Sequence, residues 1–200
     1  VARQLSEYAF RIAKIRDWLM LQRPAGGARK FPFKINFQYY TSGQPLVTDK
    51  VNINDTLSIY FKADESNGEW DGRKRYVYVF SIDSKGTMSL LFPSPESGNV
   101  ENRYPVTNSE GNPAAATHIA DILITPPAGA DNYFMLSSEE AISNLSAFEQ
   151  EGVLKEGARG AKNALEDLLF TGTKTRNVVI TPVNWSIFKA VLRTYENDQN

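Results

Sequence analysis

The sequence predicts a mainly β protein, an antiparallel β-sandwich with an N-terminal helix and a small helical insertion. Three observations support this fold class. Aromatic side chains make up 12% of the 200 residues, with 11 Phe and 9 Tyr, and such residues favour strands. Short segments alternate apolar and polar side chains, as half-buried strands do. Clusters of Gly, Pro, Asn, Asp and Ser separate these segments and are typical of turns.

The first element is a predicted helix over residues 1–24, with an apolar seam at alternating spacings of three and four. The seam positions are Leu5, Tyr8, Ile12, Ile15 and Leu19. Phe10 and Trp18 widen the apolar surface. Up to Lys34 the chain has eight Lys/Arg and two Asp/Glu residues, which gives a net charge of +6. The remainder has fourteen Lys/Arg and twenty-one Asp/Glu residues, which gives a net charge of −7. Two interpretations stay open: the helix covers its own domain's core, or it is a linker or docking helix that contacts a preceding domain.

Residues 30–200 are predicted to form the β-sandwich domain. The predicted strands cover residues 31–40, 56–62, 76–82, 87–92, 119–125, 133–136, 177–181 and 185–196. The strand at 76–82 is apolar on both faces, so we expect it in the middle of a sheet, in a hairpin closed by the turn Asp83–Gly86. The last segment also fits a helix, but its β-branched and aromatic content favours a strand.

Two segments interrupt the strand pattern. Pro93–Thr117 is 25 residues long, rich in Pro, Asn, Ser, Glu and Gly, and without periodicity, so we expect the most mobile or most functional part of the domain there. Ser137 with Glu140 has the spacing of a capping box, and Ser146 with Glu149 repeats it. Together with a helical pattern at 159–170, these predict a helical insertion at about 138–170.

The composition excludes several kinds of chemistry. The chain has no Cys and one His, His118, so it holds no disulfide, no cysteine nucleophile and no site built on two histidines. A net charge of −1 gives no bulk attraction to nucleic acid, and no apolar run approaches the roughly 18 residues of a membrane span. We therefore expect no cofactor, no metal, no nucleic-acid partner and no membrane insertion. The chain starts with Val-Ala-Arg, which we interpret as part of a longer polypeptide.

Two polar groups are candidates for chemistry, and neither is expected to be catalytic. Four acids share one loop, namely Asp64, Glu65, Glu69 and Asp71. The cations at 73–75 should compensate these acids, and the spacing of a calcium loop is missing. His118 and Asp121 lie three apart on a strand, where side chains point to opposite faces, so we expect them not to pair. No Gly-x-Ser-x-Gly sequence supplies an activated serine.

The middle of the chain resembles a known family. The matching elements are Leu57–Phe61 (LSIYF), Tyr76–Asp83 (YVYVFSID), Gly86–Pro93 (ending LLFP), a loop with Asn99 and Asn102, Pro126–Gly129 (PPAG) and Leu136–Ser138 (LSS). This pattern is similar to a bacterial domain of unknown function that follows caspase-like peptidase domains. The resemblance covers about residues 50–140, and Arg16–Leu21 is similar to the segment that joins the peptidase domain to this module.

The resemblance implies a non-catalytic accessory or protein-recognition module of a larger bacterial protein, a caspase-like cysteine peptidase whose His/Cys dyad would lie upstream. The partner is then the upstream domain of the same polypeptide or another protein, in the cytoplasm or periplasm, and the oligomeric state stays open. The alternative is a β-sandwich that binds a glycan or a peptide through the loop at 93–117. The candidate residues for a partner or ligand surface are Phe10, Trp18, Trp70, Asn99, Asn102 and Tyr104.

Overall fold

A computed structural model describes residues 9, 12, 15, 16, 18–20, 31–64, 69–94, 101–143, 145–148 and 185–196. These residues form part of the N-terminal helix, nine strands and a short 3-10 helix at Leu145–Phe148. The strands are β1 (Phe33–Tyr39), β2 (Lys50–Asn52), β3 (Thr56–Ala63), β4 (Arg75–Ile82), β5 (Met88–Phe92), β6 (Arg103–Tyr104), β7 (Ala116–Leu123), β8 (Gly129–Ser138) and β9 (Trp185–Tyr195). The predicted mainly β class is confirmed.

The strands form two sheets. The smaller sheet is antiparallel and has the order β1-β3-β7. The larger sheet has the order β2-β9-β8-β4-β5, and the short β6 pairs with the start of β4. Its pairs are antiparallel except for β2 and β9, which run parallel. The apolar strand β4 lies between β8 and β5, as its two apolar faces predict.

The two sheets pack face to face over an apolar core, which is the arrangement of a β-sandwich. Alternate residues of the strands point into this core, because successive side chains of a strand lie on opposite faces. The strand residues of the core include Phe33, Ile35, Phe37, Leu57, Ile59, Phe61, Val77, Val79, Met135 and Leu192. Phe33 and Phe61 stack across β1 and β3 with ring centroids 4.8 Å apart. The predicted antiparallel sandwich is therefore confirmed.

The outer face of the larger sheet is also apolar, and the N-terminal helix packs on it. Its buried strand residues are Tyr78, Phe80, Ile82, Met88, Phe134, Leu136 and Trp185. Trp18 from the helix is 3% exposed, and its ring centroid lies 4.6 Å from that of Phe80. Phe148 of the 3-10 helix lies 6.0 Å from Trp18 in the same cluster. The helix therefore covers the core of its own domain, which was one of the two interpretations.

The helix does not bury the whole predicted seam. Ile15 and Trp18 pack toward the sheet, whereas Ile12 is 66% exposed and Leu19 is 41% exposed. The seam prediction is wrong at these two positions because the indole of Trp18, with the largest apolar surface of the described helix residues, sets the orientation of the helix. Leu5 and Tyr8 lie outside the described residues.

Two close contacts hold the helix against the sheet. Lys189 Nζ donates a hydrogen bond of 2.6 Å to the carbonyl oxygen of Leu19, and burial lowers the pKa of this lysine. Gly86, in the turn between β4 and β5, has a φ of +78°, and a Cβ added there would lie 2.6 Å from Ile15 Cδ1. Glycine is thus needed in this turn both for the left-handed backbone and for the approach of the helix.

The predicted hairpin is present, although only one of its strands is central. The amide of Asp83 donates to the carbonyl oxygen of Thr87 at 3.0 Å, and that of Gly86 donates to the carbonyl oxygen of Asp83 at 2.9 Å. β4 pairs with β8 over seven positions, from Tyr76 to Ile82, and with β5 over a shorter stretch. β5 therefore lies at the edge of the sheet, and β8 supplies the longer ladder.

The strand β8 is longer than predicted, and β9 has the predicted extent to within one residue. The segment from Trp185 is a strand, as predicted, and pairs with β8 over all ten residues of β8. β8 continues to Ser138, so the predicted capping box at Ser137 is wrong. Instead, Ser137 Oγ lies 2.7 Å from Ser186 Oγ, and this pair satisfies two hydroxyl groups inside the sheet. The predicted elements at 159–170 and 177–181 lie outside the described residues.

The described residues 101–117 of the predicted long loop are hydrogen-bonded, and Tyr104 and Pro105 among them are buried, whereas residues 108–112 are exposed. Tyr104 is buried, and its ring meets those of Phe61 and Phe92 edge to face at 5.3 and 5.4 Å. Asn108 Oδ1 accepts hydrogen bonds from the backbone amides at 110 and 112, which closes a turn. Tyr104 therefore belongs to the core of the sandwich. Residues 95–100 lie outside the described part.

Candidate functional site

The N-terminal helix presents a second apolar side, which we call the helix stripe. It consists of Ala9, Ile12, Arg16, Leu19 and Met20, all exposed. At 3.6 residues per turn these positions fall within about a third of the helix circumference, and Trp18 lies on the opposite side. Met20 is 68% exposed, so large apolar side chains face solvent on a helix whose other side is anchored. Such a stripe is typical of a protein contact surface.

The second surface is the outer face of the smaller sheet, which we call the polar face. Cross-strand pairing places its side chains in four rows. The rows are Lys34–Lys62–Ala116, Asn36–Tyr60–His118, Gln38–Ser58–Asp121 and Tyr40–Thr56–Leu123. Strands about 4.8 Å apart and alternate residues about 6.8 Å apart give the two middle rows an area of about 10 by 7 Å. Every side chain in these two rows can form hydrogen bonds.

A β-bulge brings His118 and Asp121 together on the polar face. β7 pairs His118 and Ala120 with consecutive residues of β3, so Ile119 is an extra residue in the register. The extra residue shifts the alternation by one position, and His118 Nε2 lies 2.8 Å from Asp121 Oδ1. The prediction that these residues do not pair is wrong, because it assumed an unbroken strand.

Asp121 is the centre of this cluster. Its Oδ1 also accepts a hydrogen bond of 2.6 Å from Ser58 Oγ. Partial burial raises the pKa of Asp121, but the hydrogen bonds from Ser58 and His118 outweigh this effect and hold the pKa below its ordinary value. The group is therefore a carboxylate at neutral pH. Since a carboxylate only accepts, His118 Nε2 carries a proton and donates to Asp121 Oδ1.

The cluster contains the residue types of a serine hydrolase without the connections of one. In a catalytic triad the histidine accepts the serine proton, and the carboxylate orients the histidine. Here Ser58 donates to Asp121 rather than to His118, and His118 Nε2 contacts the same oxygen atom. The histidine is thus not placed to activate Ser58. The arrangement is suited to binding a ligand by hydrogen bonds rather than to nucleophilic attack.

The charges beside the polar face are largely compensated. Lys34 Nζ lies 3.2 Å from Asp64 Oδ1, so the first acid of the predicted acidic loop serves an ion pair across β1 and β3. Lys62 Nζ lies 5.8 Å from the centre of the Tyr60 ring. Across the part of the chain that the structure describes, no three metal-binding side chains converge.

Two of the predicted surface residues lie in the core instead. Trp18 belongs to the outer apolar cluster and Tyr104 to the core between the sheets, so the prediction of a surface position is corrected for both. Their burial follows from their large apolar rings, which the sheet faces enclose. Phe10 and Asn99 lie outside the described residues.

The other two predicted surface residues are half-buried and hydrogen-bonded to backbone. Trp70 packs against the core, and its Nε1 donates to the carbonyl oxygen of Arg73 at 2.8 Å. The main-chain carbonyl oxygen of Asn102 accepts a hydrogen bond of 2.8 Å from the amide of Val77. The side-chain Nδ2 of Asn102 donates one of 3.2 Å to the carbonyl oxygen of Val77. Both side chains thereby fix the start of β4.

Sequence reasoning offered the helix as a docking element but did not identify the residues of the helix stripe, and it missed the polar face. The helix stripe had a signal, because Ile12 and Met20 lie on the side of the helix opposite Trp18 when the helix is drawn with 3.6 residues per turn. The Ser58–Asp121–His118 cluster had none, because it depends on a bulge at Ile119 whose sequence is ordinary for a strand.

The comparisons with protein-family models and curated proteins identify no relative of this chain. No protein-family model matches the chain. No curated protein matches its sequence. Within the described ranges, no helix is both long enough and apolar enough to cross a lipid bilayer. The resemblance to the module that follows caspase-like peptidases therefore rests on the motifs quoted above.

Proposed function

We propose that the chain is a non-catalytic accessory module of a larger bacterial protein, a caspase-like peptidase, and that its helix stripe docks on the peptidase domain of the same polypeptide. The observation that carries this proposal is the helix stripe. Ile12 and Met20 are exposed, while Trp18 anchors the opposite side of the same helix in the outer apolar cluster. An anchored helix with an apolar outer side fits a groove on a partner protein.

The charge of the N-terminal segment indicates the chemistry of the partner. The first 34 residues carry a net charge of +6, and Arg16 lies within the stripe itself. The docking surface on the peptidase domain should therefore have an apolar centre and acidic side chains at its rim, because complementary charge orients two partners and speeds their encounter.

Two further features support a role without catalysis. The sequence has no cysteine, so the nucleophile of a caspase-like peptidase has to come from another domain. In the Ser58–Asp121–His118 cluster, the serine and the histidine both contact Asp121 rather than each other. In the described part of the loop at 93–117, the candidate residue Tyr104 is buried in the core, so its ring is not available to a ligand.

The first test is the reading frame that encodes this chain. We expect it to encode, upstream of Val1, an α/β domain with the His/Cys dyad of a caspase-like peptidase. A complete reading frame without such a domain contradicts the proposal.

The second test is calorimetric titration of that peptidase domain with this chain. Ile12→Glu should weaken binding by about tenfold or more, about 1.4 kcal/mol, because it places a charge in an apolar contact. Val47→Glu is the matched control, since Val47 is 88% exposed and lies outside the helix. Equal affinities for the wild type and both variants would show that the stripe is not the contact surface.

A further inference from the structure

We propose that the polar face binds a neutral, hydroxyl-rich saccharide, and that its two middle rows form the subsite for one sugar ring. The rows are Asn36–Tyr60–His118 and Gln38–Ser58–Asp121. This site lies on the smaller sheet, whereas the helix packs on the outer face of the larger one. The inference is therefore independent of the proposed docking function.

The hydrogen-bonding groups of the two rows match those of a sugar. A hydroxyl group both donates and accepts, and so does the side-chain amide of Asn36 or Gln38. The carboxylate of Asp121 supplies a charged acceptor, and charge-assisted hydrogen bonds are the stronger kind. Its Oδ1 is taken by Ser58 and His118, so Oδ2 is the oxygen that faces a ligand.

The carboxylate of Asp121 and the imidazole of His118 are accessible and held in place. The side chains of His118 and Asp121 are 47% and 39% exposed. The buried Ser58 donates a hydrogen bond of 2.6 Å to the carboxylate of Asp121 and so holds it in place. The bulge at Ile119 brings the imidazole of His118 beside this carboxylate. A ligand therefore meets a preformed acceptor, Asp121 Oδ2, beside the polar ring of His118, and little ordering free energy is lost on binding.

Asn36 adds a donor that is free to serve a ligand. Its Nδ2 is enclosed and finds no acceptor among the described residues. A buried donor without a partner is destabilising. Rotation of the amide toward a ligand hydroxyl would give this donor an acceptor without breaking any hydrogen bond that it makes.

Aromatic rings give the same area an apolar component. Tyr60 and His118 meet at 67° with ring centroids 5.4 Å apart, so they do not stack face to face. Tyr40, in the adjacent row, is exposed. The face of an aromatic ring carries partial negative charge and attracts the partially positive hydrogen atoms of C–H groups. One face of a sugar ring presents such C–H groups.

The charges of the face favour a neutral ligand over an anionic one. Lys34 is paired with Asp64 at 3.2 Å, and the nearest lysine on the central strand, Lys62, lies over the Tyr60 ring. The carboxylate of Asp121 repels an anion at the centre of the site. A phosphate or an acidic sugar therefore gains little here.

The test is an NMR titration of the ¹⁵N-labelled chain. The neutral probes are maltose, cellobiose and N,N′-diacetylchitobiose, and the acidic probe is digalacturonate. At about 10 mM, which reveals millimolar dissociation constants, at least one neutral sugar should shift amide signals of β3 and β7. Asp121→Asn should weaken that binding by about tenfold, because it keeps the shape of the side chain and removes its charge. Asp49→Asn, the same change beside β2 in the larger sheet, should leave the affinity unchanged.

Three results would overturn the inference. In the first, none of the three neutral sugars shifts any signal. In the second, the shifts fall outside the smaller sheet or are equal for wild type and Asp121→Asn. In the third, digalacturonate binds more tightly than the neutral sugars. Amide spectra of the two variants report whether each is folded, so a loss of binding by misfolding is recognised directly.

Discussion

Replacing Phe80 with alanine is expected to lower the free energy of unfolding by about 3–5 kcal/mol, the usual cost of deleting a buried aromatic ring. Phe80 is fully buried at the centre of the outer apolar cluster. Its ring stacks on Phe134 at 4.9 Å and lies 4.6 Å from Trp18 and 5.1 Å from Phe148. The change thus leaves a cavity between a strand pair, the N-terminal helix and the 3-10 helix.

Urea unfolding followed by tryptophan fluorescence measures this loss. Val47→Ala is the control, and it should change the free energy by less than about 0.5 kcal/mol because Val47 is highly exposed. A loss below about 1 kcal/mol for Phe80→Ala would mean that the outer face of the larger sheet is not a packed core, and the position of β4 in the sheet would have to be revised.

Replacing Trp18 with alanine is expected to cost a similar amount, about 3–5 kcal/mol, although this residue comes from outside the sandwich. Its indole contacts Phe80, Phe134 and Phe148 at 4.6, 6.3 and 6.0 Å between ring centroids. Trp18→Phe is the conservative variant and should lose less, because it keeps an aromatic ring in the cluster.

A chain that begins at Lys30 extends the same prediction. It lacks the helix altogether and exposes the outer apolar cluster, so it should be less stable than Trp18→Ala or should aggregate. If this shorter chain unfolds at the same urea concentration as the full chain, the helix is not part of the core. The contacts of Trp18, Ile15 and Lys189 with the sheet would then contribute nothing to stability.

Much of the fold follows from the sequence because one physical rule dominates it. β1 and β3 bury apolar side chains at every second position, and this period of two is visible from Phe33 to Phe37 and from Leu57 to Phe61. β4 is apolar on both faces, which correctly predicts that it lies between two strands. One of its faces contacts the core between the sheets, and the other contacts the outer apolar cluster. β9 is long and rich in β-branched and aromatic residues, and it is a strand for that reason.

The errors arise where a non-local contact overrides a local pattern. Ser137 has the spacing of a helix cap, but pairing with β9 draws it into β8, where Ser186 satisfies its hydroxyl group. The regular seam of the helix includes Ile12 and Leu19, but the partners of Trp18 on the sheet decide which side is buried. Local spacing carries no information about either partner.

The candidate site was harder to predict than the fold. A one-residue bulge at Ile119 reverses the alternation of β7 and joins His118 to Asp121, which an unbroken strand would separate. Trp70, Asn102 and Tyr104 have residue types that are common at binding surfaces, but in this fold they pack or hydrogen-bond at the start of β4 and in the core. Residue type alone does not distinguish these roles.

We propose that the N-terminal helix has two apolar sides, an inner one that stabilises the sandwich and an exposed outer one that docks on a partner. Urea unfolding of Ile12→Glu beside Trp18→Ala tests it most directly. Ile12→Glu should stay within about 0.5 kcal/mol of the wild type, because an exposed side chain loses no packing and glutamate is a good helix former. Trp18→Ala should lose about 3–5 kcal/mol. If Ile12→Glu loses as much as Trp18→Ala, the stripe is covered in the folded chain and is not a docking surface.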